Sequence, residues 1–350
     1  MKGSFMATFE PKITRIESPT SVQSKIKSGR ELARQGRTEE ALAEFETALK
    51  LDPNSKLARL GLGTLKARLN RQDDALKEFK EVLRLDPMNV QAHLRAARIL
   101  ISKKELDKAQ EYAESALRID SEAPLVHFLL GHIYLSRSNL IKAKEHFSKA
   151  LALNPRLVRA RIQMALVLRN EGKLPEALAQ LNAAVRIEPE SVNVHTSLGR
   201  LHLVRKDFLA AREAFEKAIA LRPESEENDV ETLFGLAEAW IGNGELNRAE
   251  ETLRKLPPRT EGRSGLHKLW GDLYEQRGLY PEAVEEYKAA QLIAKQDADA
   301  SAMPLETSSL PALDDLEAWK ELAASLRKHT DAYKDKLRSR ITPASVEIDD

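Results

Sequence analysis

Residues 124–157 read PLVHFLLGHIYLSRSNLIKAKEHFSKALALNPRL, and this stretch decides the fold. Two apolar-periodic runs of about a dozen residues, the length of an ordinary helix, flank a short polar turn. Small side chains stand at Gly131, Ala143 and Ala150, large ones at Leu130, Tyr134 and Phe147, and Pro155 closes the stretch. The frame recurs on both sides. Alanine returns every 34 residues at Ala41, Ala75, Ala109, Ala143, Ala177 and Ala211, then after 38 at Ala249 and after 34 at Ala283. A second small column runs Gly29, Gly63, Ala97, Gly131, Ala165, Gly199, Ala237, Gly271. A third runs Ala48, Val82, Ala116, Ala150, Ala184, Ala218, Leu256, Ala290. A bulky column holds Phe45, Phe79, Ala113, Phe147, Leu181, Phe215, Leu253 and Tyr287.

The residue types follow from the spacing. Small residues on both helices of a hairpin let two backbones approach, while the Phe column is expected to fill space against the next unit. Gly36, Asn70, Asn139, Gly172, Gly244 and Gly278 are the expected turn-formers between helices. Pro175 and Pro281 fit a first helical turn, where the missing N–H costs nothing. Pro53, Pro87, Pro155, Pro189 and Pro223 end second helices, with Ser121 standing in once. One hairpin cannot bury its own apolar faces, so the units must stack.

On these residues the chain resembles the tetratricopeptide repeat family, whose pattern of small residue, Tyr or Leu, Ala, Phe, Ala and Pro fits 124–157 best. The resemblance implies an all-α, right-handed α-solenoid of about eight helix-turn-helix hairpins with an additional C-terminal helix. In its frame the array covers 22–297, as units 22–55, 56–89, 90–123, 124–157, 158–191, 192–225, 230–263 and 264–297. The third and fifth units are degenerate, and Pro257-Pro258 shortens the second helix of the seventh. Glu226 to Asp229 is an insertion expected to form a surface loop. Residues 1–21 lack periodicity and read as a disordered extension, 298–313 as a linker, 314–340 as an amphipathic helix and 341–350 as a tail. The helix stripe of Leu316, Trp319, Ala323, Leu326, Tyr333 and Leu337 must be buried, either by folding back as a cap or by pairing with a second copy as a homodimer.

Composition narrows the function. Lys plus Arg number 55 against 54 Asp plus Glu, a formal net charge of +1, so no global field favours nucleic acid or an anionic membrane. Cysteine is absent, which excludes disulfides, thiolate metal sites and a cysteine nucleophile. No run approaches the roughly 20 apolar residues of a membrane span, and the opening residues carry no signal-peptide core; a cytoplasmic location is the expectation. No zincin motif, phosphate loop or nucleophile elbow occurs. His93, His127, His195 and His267 occupy one repeat position, where equivalent residues of neighbouring units are about 10 Å apart, too far to share a metal. They read as packing residues. No cofactor, metal or catalytic residue is expected.

The resemblance also implies that the first helix of each unit lines an inner groove. Its ligand-facing positions hold Lys27, Arg30, Arg34, Arg68, Arg95, Arg98, Arg159, Arg169 and Arg200, with no acidic residue in the first six units. Glu231, Glu238, Asp272 and Glu275 reverse the sign in the last two. The fourth unit supplies an apolar patch of Leu125, Phe128, Leu129 and Leu135 beside His132. Arginine suits bidentate pairing with carboxylates. The expectation is a non-catalytic protein–protein interaction scaffold or adaptor whose groove takes a partner segment with acidic and apolar residues. Two family ligand modes, the chaperone-tail clamp and the asparagine ladder, lack their residues here. Single-stranded RNA binding and service as the regulatory subunit of a separately encoded enzyme are the alternatives.

Overall fold

The computed structural model describes residues 19–222, 230–257, 263–297 and 315–339, with the side chains of 19, 20, 295–297 and 333–339 left aside. Residues 1–18, the insertion at Glu226–Asp229, the linker 298–313 and the tail 341–350 lie outside these. No strand occurs among the described residues. The chain forms two compact bodies that divide between Glu122 and Ala123.

The first body holds three hairpins: α1 (Pro19–Arg34) with α2 (Thr38–Leu51), α3 (Lys56–Arg68) with α4 (Gln72–Leu85), and α5 (Val90–Ser102) with α6 (Leu106–Ile119). The second holds α7 (Pro124–Ser136), α8 (Leu140–Leu153), α9 (Val158–Asn170), α10 (Leu174–Ile187), α11 (Val192–Val204) and α12 (Phe208–Ala220). It continues through α13 (Val230–Gly242), α14 (Leu246–Arg254), α15 (Ser264–Gln276), α16 (Tyr280–Asp297) and α17 (Leu316–Ser339). Within each body the odd-numbered helices of consecutive hairpins touch one another. α1 starts at Pro19, before the expected boundary at 22. α14 spans only nine residues.

The bulky column packs first inside its own hairpin, a contact that the expectation of packing against the next unit did not include. A Cβ placed on Gly63 would come within 2.6 Å of the Phe79 ring, on Gly131 within 2.7 Å of Phe147, on Gly199 within 2.7 Å of Phe215, and on Gly271 within 2.6 Å of Tyr287. Carbon atoms prefer about 3.5–4.0 Å, so these rings need glycine opposite them. The two columns are matched. Where the ring is replaced by Ala113, Leu181 or Leu253, the facing residue is Ala97, Ala165 or Ala237. Phe45 and Phe215 also lean on the following hairpin, where a Cβ on Gly61 or on Gly235 would run into the ring.

Every described hairpin turns on a residue with positive φ: Gly36, Asn70, Lys104, Ser138, Gly172, Lys206, Gly244 and Gly278. The fourth therefore turns on Ser138 (φ 59°), while Asn139, expected there, caps α8 by accepting the Lys142 N–H at 3.1 Å. A left-handed residue other than glycine costs about 1–2 kcal/mol, offset in part by the greater freedom glycine has when unfolded. Lys104→Gly, Ser138→Gly and Lys206→Gly are each expected to raise unfolding free energy by about 0.5 kcal/mol, measurable by denaturant titration.

Polar contacts across five of the hairpins recur at a spacing of 19 residues. Lys25 pairs with Glu44 at 3.1 Å, Arg59 with Glu78 at 2.9 Å, and Arg161 donates to Gln180 at 3.0 Å. His127 and His146 meet at 3.2 Å, and His267 and Glu286 at 2.7 Å. The first-helix partner often also reaches back to the closing proline of the preceding hairpin: Arg59 donates to the Pro53 carbonyl at 2.9 Å and Arg161 to that of Pro155 at 2.7 Å. His93 bonds the Pro87 carbonyl at 3.0 Å and His195 that of Pro189 at 2.8 Å. The repeat-position histidines are therefore hydrogen-bonded latches between helices, and more than simple packing residues.

His146 is half-buried and stacked on Tyr134, with ring centroids 5.4 Å apart. Burial first, then the neighbouring His127, holds its pKa below the ordinary value, despite the opposing pull of Glu145. Burial lowers His202 in the same way, against Asp207 at 3.4 Å. Unfolded imidazoles bind protons at a higher pH than these do, so stability of the second body is lost as pH falls through about 6.5. Denaturant midpoints between pH 7.5 and 5.5 should decline with acid, and less steeply in His146→Gln.

α17 takes the place of a further first helix, lying on α16 and α15 as α3 lies on α2 and α1. Trp319, Ala323 and Leu326 are buried against Ala283, Val284 and Tyr287. Leu316, expected to begin that stripe, is 57% exposed, and the side chains of Tyr333 and Leu337 lie outside the described residues. Fold-back as a cap is thus what the described part of the stripe does.

Candidate protein-interaction surface

The first body offers a basic cleft on α1. Lys27, Arg30 and Arg34 follow one another at three- and four-residue steps and so share a helix face. With Gln23, Ile26, Glu31 and Leu57 they line an open cleft of about 540 Å³. Leu57, at the start of α3, is 52% exposed and supplies an apolar contact. Arg34 lies 3.3 Å from Glu31, an exposed pair that contributes little. Glu31, which is not at one of the ligand-facing repeat positions, also lies on the rim. Lys27 and Arg30 pair with no carboxylate among the described residues.

Along the same layer Arg68 is exposed, and Arg95 and Arg98 are half-buried. Arg95 donates to the Thr64 hydroxyl at 2.8 Å, which fixes its guanidinium over α3. In the second body Arg159, Arg169 and Arg200 are half-buried on α9 and α11, and Arg169 donates to Asn170 at 3.4 Å.

The expected apolar patch on α7 is not a surface. Phe128 is 6% exposed, Leu129 2%, His132 1% and Leu135 0%, whereas Leu125 is 46% exposed. The cause is sequence that is apolar around the whole helix: PLVHFLLGHIYLS leaves no polar face to present to water. Phe128 packs on the Phe147 ring at 6.0 Å and on His132 at 6.4 Å. Neither Phe128 nor Leu129 can anchor a ligand from there.

The acids of the last two hairpins also differ from a groove. Asp272 is 5% exposed and takes the Lys268 ammonium at 2.6 Å and the Tyr287 hydroxyl at 2.8 Å. Glu275 lies 2.7 Å from the same hydroxyl, so the two carboxylates share its single proton. Arg327 of α17 reaches Asp272 and Glu275, each at 3.5 Å, and Asp331 of α17 reaches Lys268 at 3.0 Å. Burial pushes the Tyr287 phenol far up, and Asp272 and Glu275 add to that, so it remains a donor. Burial would lower the Lys268 ammonium, but Asp272 and Asp331 outweigh it and hold it charged. Asp272 and Glu275 are thus occupied from within by α17. Glu231 pairs with Arg263 at 3.2 Å.

Comparisons agree with this architecture. Three family models, each described as "Tetratricopeptide repeat", match residues 26–79, 63–124 and 162–226, then 203–269, and then 124–157. This chain belongs to the tetratricopeptide repeat family. No curated protein matches the sequence. Among solved structures the chain is similar to one titled as the APC/C hetero-tetramer Cut9-Hcn1, with a TM-score of 0.58 at 20% identity over 64% of this chain. It spans only 44% of that chain. PilW, titled a type IV pilus biogenesis factor, matches with a TM-score of 0.54 at 21% identity over 61% of this chain and 97% of its own. Pseudomonas aeruginosa pilF matches with a TM-score of 0.50 at 23% identity over 59% and 94%. At these identities the likeness is one of fold. Among the described residues no helix of this tetratricopeptide repeat chain is long and apolar enough to cross a membrane.

Proposed function

We propose that this tetratricopeptide repeat chain is a non-catalytic scaffold that holds a partner protein through an acidic segment with apolar anchors, bound at the Lys27–Arg30–Arg34 cleft. The observation that carries the reading is the convergence of three cations on one open cleft beside exposed Leu57. A cation with no carboxylate beside it, as Lys27 and Arg30 are among the described residues, gains more from a carboxylate ligand than from water when an apolar contact accompanies the pairing, and Arg34 would exchange its exposed pair with Glu31 for that ligand. Arg68, Arg95 and Arg98 extend the positive row along the first body, and Arg159, Arg169 and Arg200 form a row of the same sign in the second. Leu57 replaces Phe128 and Leu129 as the apolar contact.

A fluorescein-labelled decapeptide alternating Leu with Asp and Glu is the direct probe. Its affinity, read by anisotropy, should fall about tenfold or more in Lys27→Glu/Arg30→Glu/Arg34→Glu, with helicity by circular dichroism unchanged. Equal affinity in both proteins overturns the reading. Stronger binding of an oligonucleotide than of the peptide would assign the cleft to nucleic acid instead.

A further inference from the structure

We infer that α15 and α16 form a second binding site, a seat for an amphipathic helix of a partner protein, which α17 keeps closed until that helix replaces it. The site lies wholly within the second body and does not depend on the cleft on α1. α17 shows what the seat recognises. Trp319, Ala323 and Leu326 stand at four- and three-residue steps on one helix face and fill the space over Ala283, Val284 and Tyr287. One residue past Leu326, Arg327 reaches Asp272 and Glu275, and a turn later Asp331 reaches Lys268. Gln291 of α16 donates to the Leu326 carbonyl at 3.2 Å and so holds the helix backbone itself. A replacing helix therefore needs an aromatic residue, an aliphatic one seven positions on, an arginine beside it and an acid four residues beyond.

The make-up of the seat favours exchange over permanent closure. Apolar packing serves a fixed cap at least as well, since a buried ion pair gains little over well-packed hydrophobic residues. Here Lys268 and Asp272 are 6% and 5% exposed with α17 in place, and they regain water when it leaves, which offsets part of the cost of opening. The charged side chains that α17 contributes, Arg327 and Asp331, are 42% and 46% exposed, so each of their ion pairs is weak alone. The opposite face of α17 carries exposed Lys320, Glu321, Lys328 and His329, which keep the helix soluble once detached. As a tethered occupant α17 has a high effective concentration, so it acts as a competitor that a better-fitting helix must displace.

The probe is a fluorescein-labelled peptide of residues 315–332, read by anisotropy on the full chain and on its Trp319→Ala/Leu326→Ala variant, which weakens the resident helix and leaves the seat intact. The variant should bind the peptide at least about tenfold more tightly than the native chain, because the internal competitor has been loosened. The same peptide carrying Trp319→Ala/Arg327→Ala should bind neither protein. Arg327→Ala in the full chain, a change on the part-exposed side of α17, repeats the comparison with the apolar contacts kept and should tighten peptide binding about threefold. Hydrogen exchange of the native chain needs no variant: amides of 316–332 should exchange at least about tenfold faster than those of α15 and α16. Equal peptide affinity in native and variant proteins, or binding to none of them, overturns the inference, as does exchange of α17 in step with α15 and α16. Self-association of the native chain that the unlabelled peptide reverses would assign the seat to α17 of a second copy, and so overturn the partner assignment.

Discussion

Asp272→Ala is expected to lower the unfolding free energy of the second body by about 3–5 kcal/mol and to loosen α17 from its seat. Three donors depend on that one carboxylate: Lys268 at 2.6 Å, Tyr287 at 2.8 Å and Arg327 at 3.5 Å. Lys268 is only 6% exposed, so removing its nearest anion leaves a buried ammonium with Asp331 as its remaining ion-pair partner. A buried ion pair is weak evidence for net stability, but breaking one side of it is costly. The companion variant Lys268→Met/Asp272→Leu removes both charges and should recover most of the loss. Hydrogen exchange over residues 316–332 tells a local effect from a global one: α17 should exchange faster in Asp272→Ala and near the native rate in the double variant. A loss under 1 kcal/mol in Asp272→Ala would show that α17 is held by Trp319, Ala323 and Leu326 alone.

Gly131→Ala should destabilise by about 1–2 kcal/mol, although alanine is the better helix former. Helix propensity favours the change by up to about 1 kcal/mol. Against it, the new Cβ would lie 2.7 Å from both Cδ1 and Cε1 of Phe147, whose ring is fully buried and has nowhere to move. Overpacking of that kind costs about 1–3 kcal/mol. In a Phe147→Leu background the clash disappears, as in the native Ala165–Leu181 and Ala237–Leu253 pairs. There Gly131→Ala should be neutral or stabilising, a coupling of at least about 1.5 kcal/mol in the double-mutant cycle. An identical cost in both backgrounds would remove the pairing rule.

The repeat could be read from the sequence because close helix contact leaves a periodic mark: small side chains every 34 residues have no other economical cause. Ala41, Ala75 and Ala143 are each 0% exposed, as that reasoning requires. The match between glycine and ring was equally present in the letters, in Gly63 with Phe79 against Ala165 with Leu181, but it becomes a physical statement only with distances. The site was less legible. Position within a repeat tells which way a residue points in an average hairpin, and α7 is not average. Its apolar circumference draws Phe128 and Leu129 inward, where a frame-based reading had turned them towards a ligand. Asp272 and Glu275 were placed on a groove because nothing in the frame announces that α17 will sit on them. That contact depends on Arg327, 52 residues beyond Glu275, a separation no repeat pattern encodes. Lys27, Arg30 and Arg34 do line one cleft, because α1 keeps the three- and four-residue spacing that puts them on one face; that the cleft binds a partner is the proposal made above.

The rings that lean forward carry a rule for how such chains can lengthen. Phe45 requires Gly61 in the hairpin after it, and Phe215 requires Gly235, whereas Phe79 is followed at that place by Arg95 and Phe147 by Gln163. Junctions thus come in at least two kinds, one demanding glycine from its successor and one tolerating a long side chain. A cassette duplicated behind Phe79 or Phe147 meets a permissive joint, but one inserted behind Phe45 or Phe215 must open with glycine at its sixth residue. Gene-level shuffling of hairpins in this array is accordingly ordered, with some insertion points open and others closed by a single aromatic ring.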